Sequence, residues 1–166
     1  AAALAVIIFS YVLKLLVKRR NELIRIRSHL LIAIFSGFLF SLYAVFISKV
    51  VLGPGKELLN HLLFSHESAS MLDVVSRFLG SLFTYANGGA GGIFAPTLSL
   101  GGSSGSYLDH LLNFNIGPLA VLIGMTSGLA ALTQSPLTSF ILILEMTDRH
   151  RAIFPLMLAA IIGHGL

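Results

Sequence analysis

The chain alternates between long stretches without a charged residue and short polar segments. No Lys, Arg, Asp or Glu occurs in residues 1–13, 28–48, 78–108, 110–144 or 152–166. A helix needs about 20 apolar residues to cross a bilayer, so 28–48 suffices for one crossing. Residues 78–108 and 110–144 are longer than that, and each is interrupted by Gly or Pro. The pattern therefore predicts membrane helices, several of them short or broken.

Breaker residues and polar segments divide the chain into predicted elements. Gly and Pro end helices, which places a turn at 53–56 and an interruption at 134–136. Ser70 or Asp73 is predicted to cap the helix that follows. The predicted helices are 1–27, 29–48, 57–64, 71–86 (ending at Asn87–Gly89), about 93–112, 116–132, 137–147 and 152–166.

The composition supports a membrane protein. Of the 166 residues, 55% are hydrophobic and 11% are charged, against about 25% charged in a typical soluble domain. A soluble all-α core is the disfavoured alternative, because its surface needs more charge. The chain has no Cys, and its six His residues show no metal-ligand spacing. We therefore expect no metal and no cofactor, and the net charge of +4 does not indicate nucleic-acid binding.

The basic residues indicate an orientation. Residues 14–27, KLLVKRRNELIRIR, contain six of the eleven basic residues, with Glu22 as the only acid. The positive-inside rule places this segment on the cytoplasmic side. The short helix at 57–64 and the polar end near 145–151 then lie outside. The sequence lacks an initiator Met, and we expect it to begin inside a larger protein.

The most informative segment is GGIFAP at 91–96. The first amides of a helix have no intrahelical partner, and the macrodipole adds roughly half a positive charge there. Such an end binds an anion without Lys or Arg, and glycine lets the backbone approach an ion closely. A proline in the first turn loses no hydrogen bond. The candidate anion-binding residues are Gly92, Ile93, Phe94, Ala95 and Pro96, with the Ile93 and Phe94 amides as donors.

The glycine-rich segments also have a structural interpretation, which is close packing between membrane helices. Gly101–Gly105 and Gly124–Gly128 fit the small-residue spacing of packed membrane helices, and packing is the favoured interpretation for them. For residues 91–96 alone, packing and anion binding both remain open. Asp73 and Arg77 are spaced to pair on one helix face.

Two segments together resemble a known family. GGIFAP is similar to the GxFxP signature of the CLC chloride channels and chloride/proton exchangers. Residues 124–148, GMTSGLAALTQSPLTSFILILEMTD, resemble the two helices that follow it there, with the SPLT and EMT elements in place. The resemblance covers essentially the whole chain and corresponds to that family's helices J to Q.

The resemblance implies a fold and a function. The fold is all-α and integral to the membrane, with broken and re-entrant helices, and residues 1–166 form one half of an inverted repeat. Chloride is the expected substrate, with protons as a second candidate, and the assembly is a homodimer. The last two helices face the partner subunit, and the candidate interface residues are Leu142, Ile153 and Leu156.

Some family motifs do not occur in this sequence. The first-half strings GSGIP and GREGP are absent, and no Tyr stands at the place of the family's last-helix Tyr. We therefore expect the missing first half of the fold to be a partner, and the chain to carry about one side of the anion site. Two alternatives stay open: another inverted-repeat anion transporter, or a non-transporting fragment that only dimerises. Channel and exchanger are both compatible with the sequence, whereas an enzyme is disfavoured because no nucleophile–base pair or metal cluster appears.

Overall fold

The computed structural model describes residues 2–23, 26–46, 49–65, 68–86 and 92–166. Side chains are described outside 19–33 and a few helix-end positions. The predicted cytoplasmic segment 14–27 therefore falls largely outside the described side chains, and the predicted stop at 87–89 lies outside the described residues.

The described residues form helices joined by short turns and loops. Short 3₁₀ turns occupy Lys49–Val51 and His150–Ala152. The helices are α1 (Ala2–Leu23), α2 (Ile26–Phe46), α3 (Lys56–Phe64), α4 (Met71–Ala86), α5 (Phe94–Leu112), α6 (Pro118–Thr133), α7 (Pro136–Thr147) and α8 (Ile153–His164). From α3 onward, the predicted ends agree with these within two residues. Residues 24 and 25, between α1 and α2, lie outside the described residues, so the predicted end of the first helix at 27 stays a prediction.

Local chemistry explains where the later helices begin and end. At the start of α4, the Ser70 amide donates to Asp73 Oδ2 at 2.9 Å, and the Asp73 amide donates to Ser70 Oγ at 3.3 Å. This reciprocal pair satisfies two amides that the helix leaves free. Gln134 ends α6 in a left-handed conformation (φ 54°), and Pro136 begins α7. The predicted break at 134–136 therefore consists of two helix ends separated by Gln134 and Ser135.

Helix α6 is the centre of the fold. Its residues from Ala120 to Ala131 are buried, except for half-buried Ile123. Its backbone touches that of α5, since a Cβ on Gly101 would lie 2.5 Å from the Gly124 carbonyl oxygen. A Cβ on Gly105 would meet the carbonyl of Ala120. The predicted packing role of these glycines is confirmed.

Two apolar clusters surround this crossing. The larger contains Leu122, Met125, Ile143 and Leu156, which join α6 to α7 and α8. The smaller cluster joins α1, α4 and α5, and its buried members are Val6, Phe9, Leu82 and Leu100. In the described part of the chain, no helix combines the length and the apolar character of a membrane-crossing span.

Candidate anion site

The predicted donor segment forms the start of α5. Ile93 is the residue before the helix (φ −70°, ψ −14°), and Phe94 is its first residue. The Thr97 amide and hydroxyl both donate to the Ile93 carbonyl, at 3.1 and 2.7 Å. Pro96 is thus the third helical residue, where a missing N–H breaks no intrahelical bond. The Phe94 and Ala95 amides precede the first helical hydrogen bond and have no acceptor within the helix.

A cavity of about 440 Å³ opens at this helix end. Four of the five predicted residues line it: Gly92, Phe94, Ala95 and Pro96. Ile93 differs, because its side chain packs against the smaller apolar cluster. Ile93 can therefore contribute only its backbone to an anion site in this cavity. The remaining lining residues come from the turn before α3 and from α4; they are Val51, Gly53, Pro54, Arg77, Gly80, Ser81, Thr84 and Tyr85.

Tyr85 fixes the segment that leads into α5. Its hydroxyl donates to the Gly92 carbonyl oxygen at 2.7 Å. Its ring stands edge-on to Phe9 of α1, with centroids 6.5 Å apart. Because the ring is wedged in an apolar cluster, the hydroxyl holds Gly92 in place at the cavity rim.

Arg77 forms another part of the wall. The residue is only 5% exposed, and its Nη1 donates to the Gly53 carbonyl at 2.9 Å. Asp73, its predicted partner, accepts from the Ser70 amide and hydroxyl, both at 2.9 Å. The Asp73 charge acts on the Arg77 guanidinium, while the direct hydrogen bonds named here go from Ser70 to Asp73 and from Arg77 to Gly53. Arg77 thereby ties α4 to the turn before α3.

Comparison with known proteins decides the family. A sequence profile described as "Voltage gated chloride channel" matches residues 1–166. The chain belongs to the CLC family of voltage-gated chloride channels. The resemblance found in its motifs is thereby confirmed.

Curated CLC relatives match part of the chain. They include proteins named H(+)/Cl(-) exchange transporter ClcA from Salmonella arizonae, Salmonella paratyphi B and Salmonella newport. Each is 33% identical over 94 residues, which cover 52% of this chain and 20% of the relative. The matched part is therefore about a fifth of each relative's length.

The three predicted interface residues of this CLC chain differ in exposure. Ile153 is 36% exposed, and Leu142 is half-buried. Leu156 has no exposed surface and packs inside the larger cluster. Its assignment to an interface is corrected, because a fully enclosed side chain cannot contact another subunit. The side chains that α8 presents outward include Phe154, which is 83% exposed, and Leu158.

Sequence reasoning missed the contribution of α4 to the cavity. The lining residues of α4 recur at the spacing i, i+3, i+4, i+7, i+8, which is one helix face; they are Arg77, Gly80, Ser81, Thr84 and Tyr85. All five are polar or small. A polar stripe on an otherwise apolar helix is the signal that would have found this wall.

Other candidate groups have structural surroundings. Ser103 and Ser104 donate to the Leu100 carbonyl, at 3.2 and 2.7 Å. Ser106 Oγ accepts from the Ala69 amide at 3.0 Å. Within the described ranges, no group of three or more His, Cys, Asp or Glu side chains comes together to hold a metal.

Proposed function

We propose that this chain supplies one side of the anion pathway in a membrane protein that transports chloride and similar small anions. One observation carries the proposal: α5 begins at Phe94 with its first amides at a cavity of about 440 Å³. Membership of the CLC family supports the same function.

The chemistry of this helix end suits a transported anion. The 19 residues of α5 align their peptide dipoles, which gives roughly half a positive charge at the N-terminus. Backbone N–H groups add directional donors. The partial charge attracts chloride, but more weakly than a full cation in the same place, so release remains fast. Phe94 and Pro96 supply apolar walls that limit the water around the ion.

The whole-protein activity follows from the family and from the named relatives. Transport proceeds either through a channel or by chloride/proton antiport. The relatives named H(+)/Cl(-) exchange transporter favour testing antiport first. The protein is a transporter rather than an enzyme, and it works without a cofactor. It is integral to the plasma or inner membrane, with residues 14–27 on the cytoplasmic side.

The proposed assembly has two kinds of partner. A first half of the same inverted-repeat fold completes the anion site, and residues 1–166 form the second half. A second copy packs against α7 and α8, whose outward residues include Ile153 and Phe154. We replace Leu156 with Phe154 in this proposed interface, because Phe154 is the more exposed side chain.

The test begins with the intact mass of the purified protein. A mass near 17.8 kDa means that the first half must be added as a separate chain, and a larger mass means that it is present. The complete assembly is then reconstituted in liposomes, and chloride efflux is measured with and without a proton gradient. Proton movement that accompanies chloride indicates antiport, and chloride movement alone indicates a channel.

Two substitutions test the site itself. Phe94→Leu reshapes the cavity wall, and Pro96→Ala adds an N–H to the first turn. Both should change anion affinity or the preference between chloride and nitrate. Phe114→Leu is the matched control, since Phe114 is exposed beyond the opposite end of α5. If both site variants keep the wild-type affinity and selectivity, the site assignment is wrong.

The alternatives predict different outcomes. A transporter for organic anions would show organic substrates competing with chloride for uptake. A fragment that only dimerises would form crosslinks through α7 and α8 without binding any anion. The family match favours the CLC function over both, and either result would overturn it.

A further inference from the structure

A second cavity, of about 610 Å³, lies near the start of α8, and its lining differs from that of the cavity at the start of α5. The apolar lining comes from the beginnings of α6 and α8. It consists of Leu119, Leu122, Ala152 and Pro155. The polar lining comes from the turn between α7 and α8 and consists of Asp148, Arg149 and Arg151. Leu122 and Ala152 are buried, whereas both arginines are exposed. The cavity therefore has an apolar floor and a charged rim.

The charged turn lies at a boundary between polar and apolar surface. Met146, in the last turn of α7, is 58% exposed, and Phe154, in the first turn of α8, is 83% exposed. In a membrane protein, exposed apolar side chains face lipid or another subunit. Charged side chains next to them at helix ends reach the level of the lipid headgroups. The rim of the cavity is therefore expected at headgroup level.

The two arginines have donors to offer to a ligand. A guanidinium carries five N–H donors in a planar fork. Arg149 Nη2 donates to the Leu63 carbonyl at 3.4 Å, which is long for a hydrogen bond of this kind, and this bond uses one donor. Arg151 is exposed at the same rim. A guanidinium fork matches two oxygens of a phosphate group, so the rim suits a phosphate.

The charge balance of the rim favours an anionic ligand. Two arginines and one aspartate line the cavity, which leaves one positive charge in excess. Basic side chains beside a membrane attract anionic lipids in particular. A zwitterionic headgroup carries its own positive group, which the excess charge repels.

We propose that this cavity binds the phosphodiester headgroup of an anionic phospholipid. Arg149 and Arg151 hold the phosphate, and Leu119 and Pro155 contact the glycerol backbone and the upper part of the acyl chains. This inference rests on the proposed function, because it requires the chain to lie in a membrane. Since Arg149 also contacts Leu63 of α3, the bound lipid would connect α3, α6 and the turn before α8.

A second copy of the chain is the competing occupant of this surface. Phe154, the proposed interface side chain, points about 100° around α8 from its neighbour Pro155, which lines the cavity. A two-fold interface brings the same surface of both copies together. An interface centred on the cavity would therefore bring the arginines of both copies together, where their charges repel. The lipid is the occupant that the charges favour.

The test measures binding of dioctanoyl phosphatidylglycerol to the complete, delipidated protein in nonionic detergent by native mass spectrometry. The wild type should bind this lipid more tightly than dioctanoyl phosphatidylcholine. Arg149→Gln and Arg151→Gln should each weaken binding about fivefold, as expected for one basic residue at an anionic membrane surface. Arg151→Lys keeps the charge but loses the fork and should lose less. Lys56→Gln is the matched control, because Lys56 is exposed and does not line the cavity; its affinity should equal that of the wild type.

Three binding results would overturn the proposal. Equal losses in Lys56→Gln and Arg151→Gln would mean attraction without a site. Inorganic phosphate or glycerophosphoglycerol that competes as well as the lipid would mean a site for free phosphate, because neither compound has acyl chains. Unchanged lipid binding in both arginine variants, with loss of crosslinks between subunits, would mean that a second copy covers the cavity.

Chloride efflux from liposomes distinguishes the failure of this inference from that of the proposed function. A wild type that carries chloride but does not bind phosphatidylglycerol selectively would refute the lipid site alone. A wild type that binds this lipid through Arg149 and Arg151 but carries no chloride would refute the transport function alone.

Discussion

The crossing of α5 and α6 leaves no room for a methyl group at Gly124. A Cβ there would collide with the Gly101 carbonyl oxygen and lie 2.9 Å from Gly105 Cα. Both neighbours are backbone, so relief requires the two helices to separate by about half an ångström or more, with loss of dispersion contacts along the crossing. Overpacking of this kind costs about 1–3 kcal/mol. Alanine regains about 0.5–1 kcal/mol in helix preference, so we expect a net loss of about 0–2.5 kcal/mol, with about 1 kcal/mol as the central value.

Gly37→Ala supplies the matched control. Gly37 also lies inside a helix, α2, but a Cβ there would have no neighbour within 4 Å. Only the helix preference remains, and this variant should be stabilised by about 0.5–1 kcal/mol. Each kcal/mol corresponds to about 2–4 °C in Tm for a domain of this size. The Tm of each variant is measured by circular dichroism at 222 nm in the same detergent. A Tm of Gly124→Ala equal to or above that of Gly37→Ala would refute the packing argument.

Substitutions at four further residues test other parts of the fold. Tyr85→Phe removes the hydrogen bond to the Gly92 carbonyl and should cost about 1 kcal/mol of unfolding free energy. It should also weaken bromide binding measured by calorimetry; an unchanged bromide affinity would show that anion binding does not depend on this hydrogen bond. Ser70→Ala should lower stability by about 1 kcal/mol and Ser70→Gly by only a few tenths, so equal Tm values would contradict the capping role. Leu156→Ala should cost about 2–5 kcal/mol, whereas Phe154→Ala should leave Tm nearly unchanged and weaken crosslinking between subunits; the reverse pattern would restore the original interface assignment.

The sequence predicted helix ends well where a breaker residue marks them. Pro136 starts a helix, and Gln134 ends the one before it in a left-handed conformation. The end of α1 carries no such signal, because residues 14–27 contain neither Gly nor Pro. No residue there marks a helix boundary, and the predicted start of the second helix at 29 falls three residues after the start of α2 at Ile26.

The faces of the apolar helices were harder to predict than their ends. α8 is apolar around its whole circumference, with Leu156 inside and Phe154 outside. A period of 3.6 residues reveals a buried face only when the other face is polar. Sequence alone therefore could not separate interface residues from core residues there.

One part of the candidate site was predicted from the sequence, and another part was not. Residues 92–96 form one continuous segment whose glycine and proline are informative by themselves. Arg77 joins the site through Gly53, which is 24 positions away, and that contact depends on how α4 packs against the turn. Contacts of this kind follow from the tertiary arrangement, and no local pattern encodes them.

The donors at the start of α5 belong to peptide bonds, which every amino acid except proline supplies. Alanine substitutions of Ile93 and Phe94 would therefore leave the N–H groups in place and report mainly changes of shape. Relatives can also exchange these side chains while they retain the same binding groups. An amide-to-ester replacement at Phe94 removes the N–H itself. Chemical synthesis or nonsense suppression with a hydroxy acid is thus the form of mutagenesis that reaches this site.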